Sequence, residues 1–442
     1  MRITFFGGAQ EVGRSCILLE AENRRIMIDA GMSVGAKGED RFPVFPLEEA
    51  SRIDAIIITH AHIDHIGWLP FLVNRGFLGK IFATKPTRDI MHLLLSDAAG
   101  IAKENKEKFY GTKEIEQTME LVQAVDYGKE TQITKEIKLV FLKSGHILGS
   151  AQALLEINGK NFLYTSDLNN RASNLLDPAE LPNRQIDWLV MESTYSGKKD
   201  LLPSTKSASK ELADTVKKTL KRGGKVLVPV FAVGRGQEIM FVLDNYIRSG
   251  YLPELSLFVD GMIGKANKIC RHNVTFLREE IPKRILLADD DPFKSPFIKT
   301  PKTKNKKDVF QQKLAVVLAT SGMLSGGPSV FYLQKMIGNK KDCIILVGYQ
   351  APESLGRKLL EGAKEIEIKK KKFRVLAEIK NIHFSGHADF NGLLQFATSV
   401  NPGQILLVHG EKNKIPDLQQ AIEKKLKKPV LVPKVRETIE LQ

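Results

Sequence analysis

The sequence predicts a mixed α/β fold, and two observations support that prediction. Short β-branched segments alternate with segments of helical periodicity along the chain, which is the pattern of layered α/β proteins. The 442 residues, 43% of them hydrophobic and 26% charged, are enough for two or three domains with buried cores. We expect no signal peptide in residues 1–13 and no membrane span, because no run approaches the ~18 apolar residues of a transmembrane helix.

Six predicted strands end in polar residues that can do chemistry. The strands lie within residues 24–31, 54–62, 137–146, 162–167, 188–193 and 405–410. The segment 153–165 predicts a hairpin that turns at Asn158-Gly159, and 209–224 predicts a helix. The polar residues at the strand ends are Asp29, His60, His146, Asp167, Glu192 and His409. Because burying several unpaired ionisable groups is costly, and because this edge carries the sites of layered α/β folds, we expect a functional site there.

The segment 59–67 contains an HxHxDH motif, which indicates a metal site. His60 and His62 are two residues apart, so in extended backbone they point to the same side and can bind one ion. Asp64 and His65 follow at the turn and can reach a second ion. Imidazole and carboxylate ligands suit Zn²⁺, with manganese and iron as competitors. His146 in GHILGSA, Asp167 and His409 are the candidate further ligands.

The motifs together resemble the β-CASP nuclease branch of the metallo-β-lactamase fold. The resemblance rests on the order of Asp29, HxHxDH, His146 and Asp167, then MESTY at Glu192, FSGHAD at His387 and LLVHG at His409. It covers essentially the whole chain. It is nearest to the short archaeal ribonucleases that resemble the cleavage and polyadenylation specificity factor and are relatives of ribonuclease J. The implied fold is an αββα sandwich with an inserted Rossmann-like β-CASP domain.

The resemblance implies a division of labour among the site residues. One zinc is expected on His60, His62 and His146, the other on Asp64, His65 and His409, with Asp167 bridging both. Asp29 is expected to orient the HxHxDH loop from behind. The catalytic residues are then His387 as general acid, Glu192 as its supporting carboxylate, and Asp64.

The ~190 residues between Glu192 and His387 exceed any ordinary connection, so they predict an inserted domain. We expect the metallo-β-lactamase domain at 1–196 and 383–442 and the β-CASP domain at 197–382. Three glycine-rich turns between a strand and a helix favour contacts to RNA phosphates, and the alternative is that they are tight packing turns. The candidate residues are Gly234, Arg235, Ser321, Gly322, Met323, Gln350 and Arg357. The lysine runs at 299–307 and 369–372 are weaker candidates for RNA contact.

Charge and cysteine content bear on the partner and the compartment. Lys and Arg number 66 and Asp and Glu 51, for a net charge of +15. This charge indicates either a polyanionic partner, above all nucleic acid, or a lysine-rich surface that keeps the protein soluble. Three widely spaced cysteines argue against a disulfide framework and favour the cytoplasm. Single-stranded RNA is the expected substrate. The resemblance also implies a homodimer and contacts with other RNA-processing proteins.

The predicted reaction is two-metal hydrolysis of RNA phosphodiesters. The resemblance implies products that carry a 5′-phosphate and a 3′-hydroxyl. Internal cleavage is expected, with 5′-to-3′ trimming as a companion activity, in RNA 3′-end processing or turnover. Two alternatives use the same scaffold: a DNA-processing β-CASP nuclease and a small-molecule thioesterase or lactamase. The inserted domain and the basic charge argue against the small-molecule hydrolase. DNA-processing relatives usually carry Val at the position of His409, which argues against the DNA-processing nuclease. A non-catalytic scaffold is disfavoured because every ligand is present.

Overall fold

The structure is a computed structural model that describes residues 1–36, 38–107, 110–288, 290–351 and 354–441. In chain order, the strands of this part are β1 (Arg2–Gly7), β2 (Cys16–Ala21), β3 (Arg24–Ile28), β4 (Ala55–Ile57), β5 (Lys80–Ala83), β6 (Val122–Ala124), β7 (Thr131–Gln132), β8 (Ile137–Lys143), β9 (Ala151–Ile157), β10 (Lys160–Tyr164), β11 (Trp188–Glu192), β12 (Val226–Pro229), β13 (Ser256–Asp260), β14 (Ile298–Lys299), β15 (Ala315–Ala319), β16 (Cys343–Leu346), β17 (Glu365–Ile368), β18 (Lys371–Arg374), β19 (Glu378–Asn381), β20 (Gln404–Val408), β21 (Val430–Leu431) and β22 (Thr438–Glu440).

The α-helices of the same part are α1 (Ile63–Ile66), α2 (Leu69–Asn74), α3 (Lys85–Glu104), α4 (Thr112–Glu120), α5 (Thr205–Lys221), α6 (Arg235–Arg248), α7 (Ile263–His272), α8 (Glu280–Leu287), α9 (Lys307–Gln311), α10 (Gly327–Met336), α11 (Leu355–Leu360), α12 (Phe390–Val400) and α13 (Ile415–Leu426). The chain forms two compact units. Unit 1 comprises residues 1–172, 177–201 and 387–442, and unit 2 comprises residues 173–176 and 202–386.

Unit 1 is a sandwich of two seven-stranded sheets. The first sheet has the order β22-β1-β2-β3-β4-β5-β6 and the second β21-β20-β11-β10-β9-β8-β7. In each sheet, antiparallel hairpins on one side continue into parallel strands on the other. The inner faces share one core, to which the first sheet contributes Phe5 and Ile57 and the second Phe141 and Val190.

Helices cover the outer faces of this sandwich. Helices α12 and α13 bury Leu393, Phe396 and Leu418 against the second sheet. Helix α3 buries Ile90 and Leu94 on one side, and α2 and α4 pack beside each other. Burying apolar side chains between layers is the dominant favourable contribution to folding. The unit is therefore an αββα sandwich.

Unit 2 is built on a six-stranded sheet in the order β14-β13-β15-β12-β16-β19. Every pair in it is parallel. Its central strands are apolar throughout, as in AVVLA of β15, because parallel sheets are covered on both faces. A separate two-stranded sheet pairs β17 with β18.

The strands and the hairpin predicted from the sequence are confirmed. The hairpin turns at Asn158 (φ 50°) and Gly159 (φ 77°), as a two-residue turn with both central residues left-handed requires. The predicted helix at 209–224 begins earlier, at Thr205, because Ser204 accepts a hydrogen bond from the amide of Ser207 and so starts the helix. No helix in the described ranges is both long and apolar enough to cross a membrane.

Candidate metal centre

The HxHxDH segment lies between β4 and α1, beyond the C-terminal end of β4 in the first sheet. His60 is fully buried, and His62 takes an extended conformation at the residue before α1. Asp64 and His65 lie on α1, so a short helix replaces the simple turn expected from the sequence. The backbone amide of Ala30, just past β3, donates to the His65 carbonyl at 2.8 Å. The loop is thereby fixed to the end of the neighbouring strand.

Close backbone packing at Gly31 holds this loop in place. A Cβ atom at Gly31 would lie 1.6 Å from the Asp64 carbonyl oxygen. We therefore expect Gly31→Ala to push Asp64 and His65 out of position and to cost ~1–3 kcal/mol of stability, as overpacking does. Chemical denaturation and metal content measure the two effects. Gly35→Ala is the control, because nothing lies within 4 Å of that position; equal behaviour of both variants would contradict the prediction.

Four side chains form the first group of metal-ligating atoms. His62 Nδ1 lies 3.2 Å from His60 Nε2 and 3.0 Å from His146 Nε2. Asp167 Oδ2 lies 3.5 Å from His60 Nε2 and from His146 Nε2. Ligands placed tetrahedrally at ~2.0–2.1 Å from zinc are separated by about 3.4 Å. The spacing therefore fits the ligand set of one tetrahedral ion.

A second group consists of Asp64, His65 and His409, with ligand atoms all within 4.8 Å of one another. Asp64 Oδ2 lies 3.5 Å from His409 Nε2, which also accepts a 3.2 Å hydrogen bond from the Gly13 amide. The other oxygen of Asp167, Oδ1, lies 3.6 Å from His65 Nε2 and 3.3 Å from His409 Nδ1. Asp167 thus faces both groups, one oxygen toward each.

The electrostatics of the cluster fit a bound cation. His65 Nε2 and Asp167 Oδ1 are buried and form no hydrogen bond within the described chain, which is unfavourable unless another group contacts them. Burial, followed by the neighbouring imidazoles, lowers the pKa of His60 well below its usual value, so its nitrogen lone pair is available. Burial lowers the pKa of His65, but Asp29 and Asp167 outweigh it and raise that pKa to about 10. The buried carboxylates therefore draw positive charge into the centre.

Side chains behind the ligands fix the orientation of the imidazole rings. Asp29 Oδ2 lies 2.7 Å from His65 Nδ1, and Asp29 Oδ1 accepts from the Thr59 amide at 2.9 Å. The structure therefore places Asp29 behind the HxHxDH loop. Ser166 Oγ lies 3.1 Å from His60 Nδ1, and Thr194 Oγ1 lies 3.2 Å from His409 Nδ1. For His60 and His65, such partners fix which ring nitrogen faces the other ligand atoms.

Sequence analysis missed Ser166, Thr194 and Thr59. Thr59 and Ser166 each directly precede a ligand in the chain, and Thr194 comes two residues after Glu192. A hydroxyl residue beside a ligand at a strand end is the signal that was available. Ser166 (φ 56°), Asp29 (φ 57°) and His409 (φ 51°) all have a left-handed backbone conformation. This conformation is uncommon for residues other than glycine.

His387 lies beside the ligand groups and pairs with Glu192. Its Nδ1 is 2.9 Å from Glu192 Oε1, and its Nε2 is 4.0 Å from Asp167 Oδ2. Its side chain is 19% exposed, whereas that of Glu192 is 1% exposed. Burial raises the pKa of Glu192, but the charge and hydrogen bond of His387 and the amide of Leu168 outweigh it and lower that pKa. His387 is thus a positioned imidazole with access to solvent.

The residues predicted to contact RNA lie in unit 2, and most of their polar groups are engaged within the protein. The Gly234 amide donates to Gln237 Oε1 at 2.9 Å, and Ser321 Oγ accepts from the Ser325 amide at 2.9 Å. Gln350 Nε2 donates to the carbonyls of Gly322 and Gly348. On the exposed side of α11, Arg357 pairs with Glu361 at 2.7 Å.

The remaining two candidates lie at the start of a helix and in a turn. Arg235 begins α6, and Met323 follows Gly322 in the turn after β15. The RNA-contact roles stay a prediction.

Comparison with known families covers most of the chain. Residues 9–221 match the metallo-beta-lactamase superfamily, residues 236–359 match the Beta-Casp domain, and residues 372–433 match the Zn-dependent metallo-hydrolase RNA specificity domain. A solved structure of a protein of unknown function from Enterococcus faecalis shares the fold, with a TM-score of 0.60 over 99% of both chains at 12% identity.

Two archaeal relatives match the chain over its length. The transcription termination factor FttA of Methanothermobacter thermautotrophicus is 39% identical over 100% of this chain and 72% of that protein. An RNase J-like protein of Methanocaldococcus jannaschii is 37% identical over 99% of each. The fold and centre define a metal-dependent hydrolase of the metallo-β-lactamase class. The chain belongs to the β-CASP family of metal-dependent ribonucleases within that class. The family resemblance and the fold class predicted from the sequence are therefore confirmed.

Proposed function

We propose that this protein hydrolyses phosphodiester bonds of single-stranded RNA with two zinc ions per chain, leaving a 5′-phosphate and a 3′-hydroxyl. The observation that carries the proposal is the pair of ligand groups that share Asp167, next to His387 paired with Glu192. Two groups joined by one carboxylate are what a two-metal phosphodiesterase requires. The matched RNA specificity domain and the RNase J-like relative support RNA as the substrate.

The side chains of the proposed centre divide the work between binding and proton transfer. His60, His62, His146 and Asp167 would hold one ion, and Asp64, His65, His409 and Asp167 the other. Bound zinc ions supply Lewis acidity, which lowers the pKa of water and neutralises charge developing on phosphate. Asp29 keeps His65 turned toward the ligand groups through its 2.7 Å contact with Nδ1.

His387 supplies the proton that the leaving oxygen needs. Glu192 accepts from His387 Nδ1, so Nε2 is the ring nitrogen that would donate to the substrate. Protonated Nε2 donates to the 3′-oxygen as the bond to phosphorus breaks, because an unprotonated alkoxide leaves poorly. Glu192 itself is held by the Leu168 amide at 2.6 Å and the Thr194 amide at 3.2 Å. It acts by positioning His387.

The proposal includes a setting in RNA 3′-end processing or turnover. Relatives named transcription termination factors support a role at transcript ends. We include a cytoplasmic location, which is supported by three buried free cysteines, Cys16, Cys270 and Cys343, because unpaired thiols are usual in reducing compartments. The homodimer implied by the family resemblance is part of the same proposal, as are contacts with other RNA-processing proteins.

A circular RNA with an unpaired stretch tests the mode of cleavage. We expect the circle to be linearised and the reaction to stop when a chelator removes the metal. The matched substrate is the linear form of the same RNA with a 5′-monophosphate. An intact circle beside a linear RNA degraded to mononucleotides would show an exonuclease. Faster hydrolysis of a small thioester or lactam than of either RNA would favour the small-molecule hydrolase instead.

A further inference from the structure

The two-stranded sheet of unit 2 carries an unusual turn. We call residues 365–374, which form β17, β18 and the turn between them, the lysine hairpin. We propose that its tip is a clamp for the phosphodiester backbone of RNA; this inference rests on the proposed function. The tip consists of Lys369, Lys370 and Lys371, followed by Lys372. Residues 360–371 fall between the matched Beta-Casp and RNA specificity models, so no matched family covers the tip.

The turn geometry does not call for lysine. Ile368 pairs with Lys371, which leaves Lys369 (φ 50°) and Lys370 (φ 63°) as a two-residue turn with both residues left-handed. Such turns strongly prefer Asn-Gly. The chain uses Asn158-Gly159 in the same kind of turn between β9 and β10. Two lysines at this position therefore impose conformational strain, which indicates a role other than forming the turn.

The hairpin is anchored on one face and charged at its end. Ile366 and Ile368 are each 4% exposed and belong to the core of unit 2, and Phe373 packs against that core. Near the base, Lys372 Nζ lies 3.3 Å from Glu365. The three tip lysines are exposed and form no ion pair with the described residues. A hairpin anchored in the core thus presents three ammonium groups to solvent.

Several other candidate phosphate ligands of unit 2 are engaged within the protein. In the lysine run at 299–307, Lys299 Nζ donates to Ser256 Oγ at 2.8 Å and Lys306 Nζ lies 2.6 Å from Asp260. The Gly234 amide and the Gln350 side-chain amide are engaged within the protein, as described above. Lys302, Lys304 and Lys307 of that run are exposed as well, so the hairpin tip is distinguished from it by a turn whose backbone geometry does not call for lysine.

The tip offers only positively charged side chains, so its expected ligand is a polyanion that is recognised by its charge. Lysine ammonium groups bind phosphates as point charges, and the tip carries no aromatic side chain on which a base could stack. It carries no apolar side chain that could insert into a bilayer. The ligand class is therefore a nucleic-acid backbone, and the proposed ribonuclease activity makes it RNA.

The decisive variant is Lys369→Asn/Lys370→Gly, which removes two charges and installs the preferred turn residues. Binding of single-stranded RNA is measured against salt in a His387→Ala background, so that the RNA is not consumed. Losing two phosphate contacts should reduce the slope of log K against log salt by about 1.4, which is roughly 25-fold weaker binding at ~0.1 M salt. The melting temperature should rise or stay level, because the new turn residues fit the left-handed backbone.

Two matched variants complete the test. Lys424→Gln/Lys425→Gln removes two exposed charges from α13, and we expect it to leave the slope unchanged. Lys369→Arg/Lys370→Arg keeps the charge and should keep the slope. The clamp would be overturned if Lys369→Asn/Lys370→Gly and Lys424→Gln/Lys425→Gln had equal salt-dependence slopes. A lower melting temperature of Lys369→Asn/Lys370→Gly would overturn it as well. A parent protein that binds no RNA would instead overturn the proposed function on which the clamp rests.

Discussion

Asp64→Asn is expected to abolish nearly all RNA cleavage and to lower the bound metal from about two ions to about one per chain. Asp64 belongs to the second ligand group and faces His409 at 3.5 Å. The amide keeps the shape of the carboxylate but lacks its charge, so the first group should be unaffected. Since metal stabilisation of the transition state is worth several kcal/mol, turnover should fall by about 10³-fold or more.

Elemental analysis and RNA cleavage of the same preparation measure both effects. The variant should remain folded, because the Asp64 side chain is partly exposed and the substitution is isosteric. Asp126→Asn, at an exposed carboxylate outside the ligand groups, should change neither quantity. A variant that keeps two ions and normal turnover would show that Asp64 is not a ligand.

His387→Ala is expected to keep the full metal content while turnover falls by ~10²–10⁴-fold, the usual contribution of general acid–base catalysis. The reason is that His387 pairs with Glu192 and its Nε2 stands 4.0 Å from Asp167, outside both ligand groups assigned above. His383→Ala is the control, since that histidine is exposed and bonds Asn381.

The metal count decides between two roles for His387. Asp167, Glu192 and His387 also lie close enough together to hold an ion. If the variant loses a metal ion along with its activity, His387 is a ligand and the proposed proton transfer must be abandoned. If metal content and activity are both unchanged, it is neither a ligand nor the acid.

The candidate ligands could be predicted because they follow apolar strands in a recognisable spacing, with Asp64 and His65 on the short helix α1 after β4. HxHxDH alone defines four of the positions, and the turn residues around His146 mark a fifth. The strands were equally clear, since runs such as ILLV of β20 are apolar and β-branched. These are local signals, so they can be read without knowledge of the tertiary structure.

What could not be predicted depends on distant parts of the chain. The hydroxyl of Ser166 becomes a partner of His60 because the end of β10 and the HxHxDH loop meet in space. Its position beside Asp167 in the chain indicates a supporting role but does not identify that partner. The same holds for Gln350, whose amide binds backbone carbonyls. Glycine-rich turns whose amides can bind phosphate have the same sequence pattern as those whose amides are hydrogen-bonded within the protein.

The second sheet of unit 1 pairs β11 directly with β20, matching Trp188 to Gln404 in parallel register. This pairing has a consequence for biosynthesis. His60, His62, His146 and Asp167 all lie in the first 167 residues of the chain, whereas the second group is incomplete until His409 has been synthesised. All four members of the first group are therefore synthesised before the inserted unit, whereas the second group can be completed only after it.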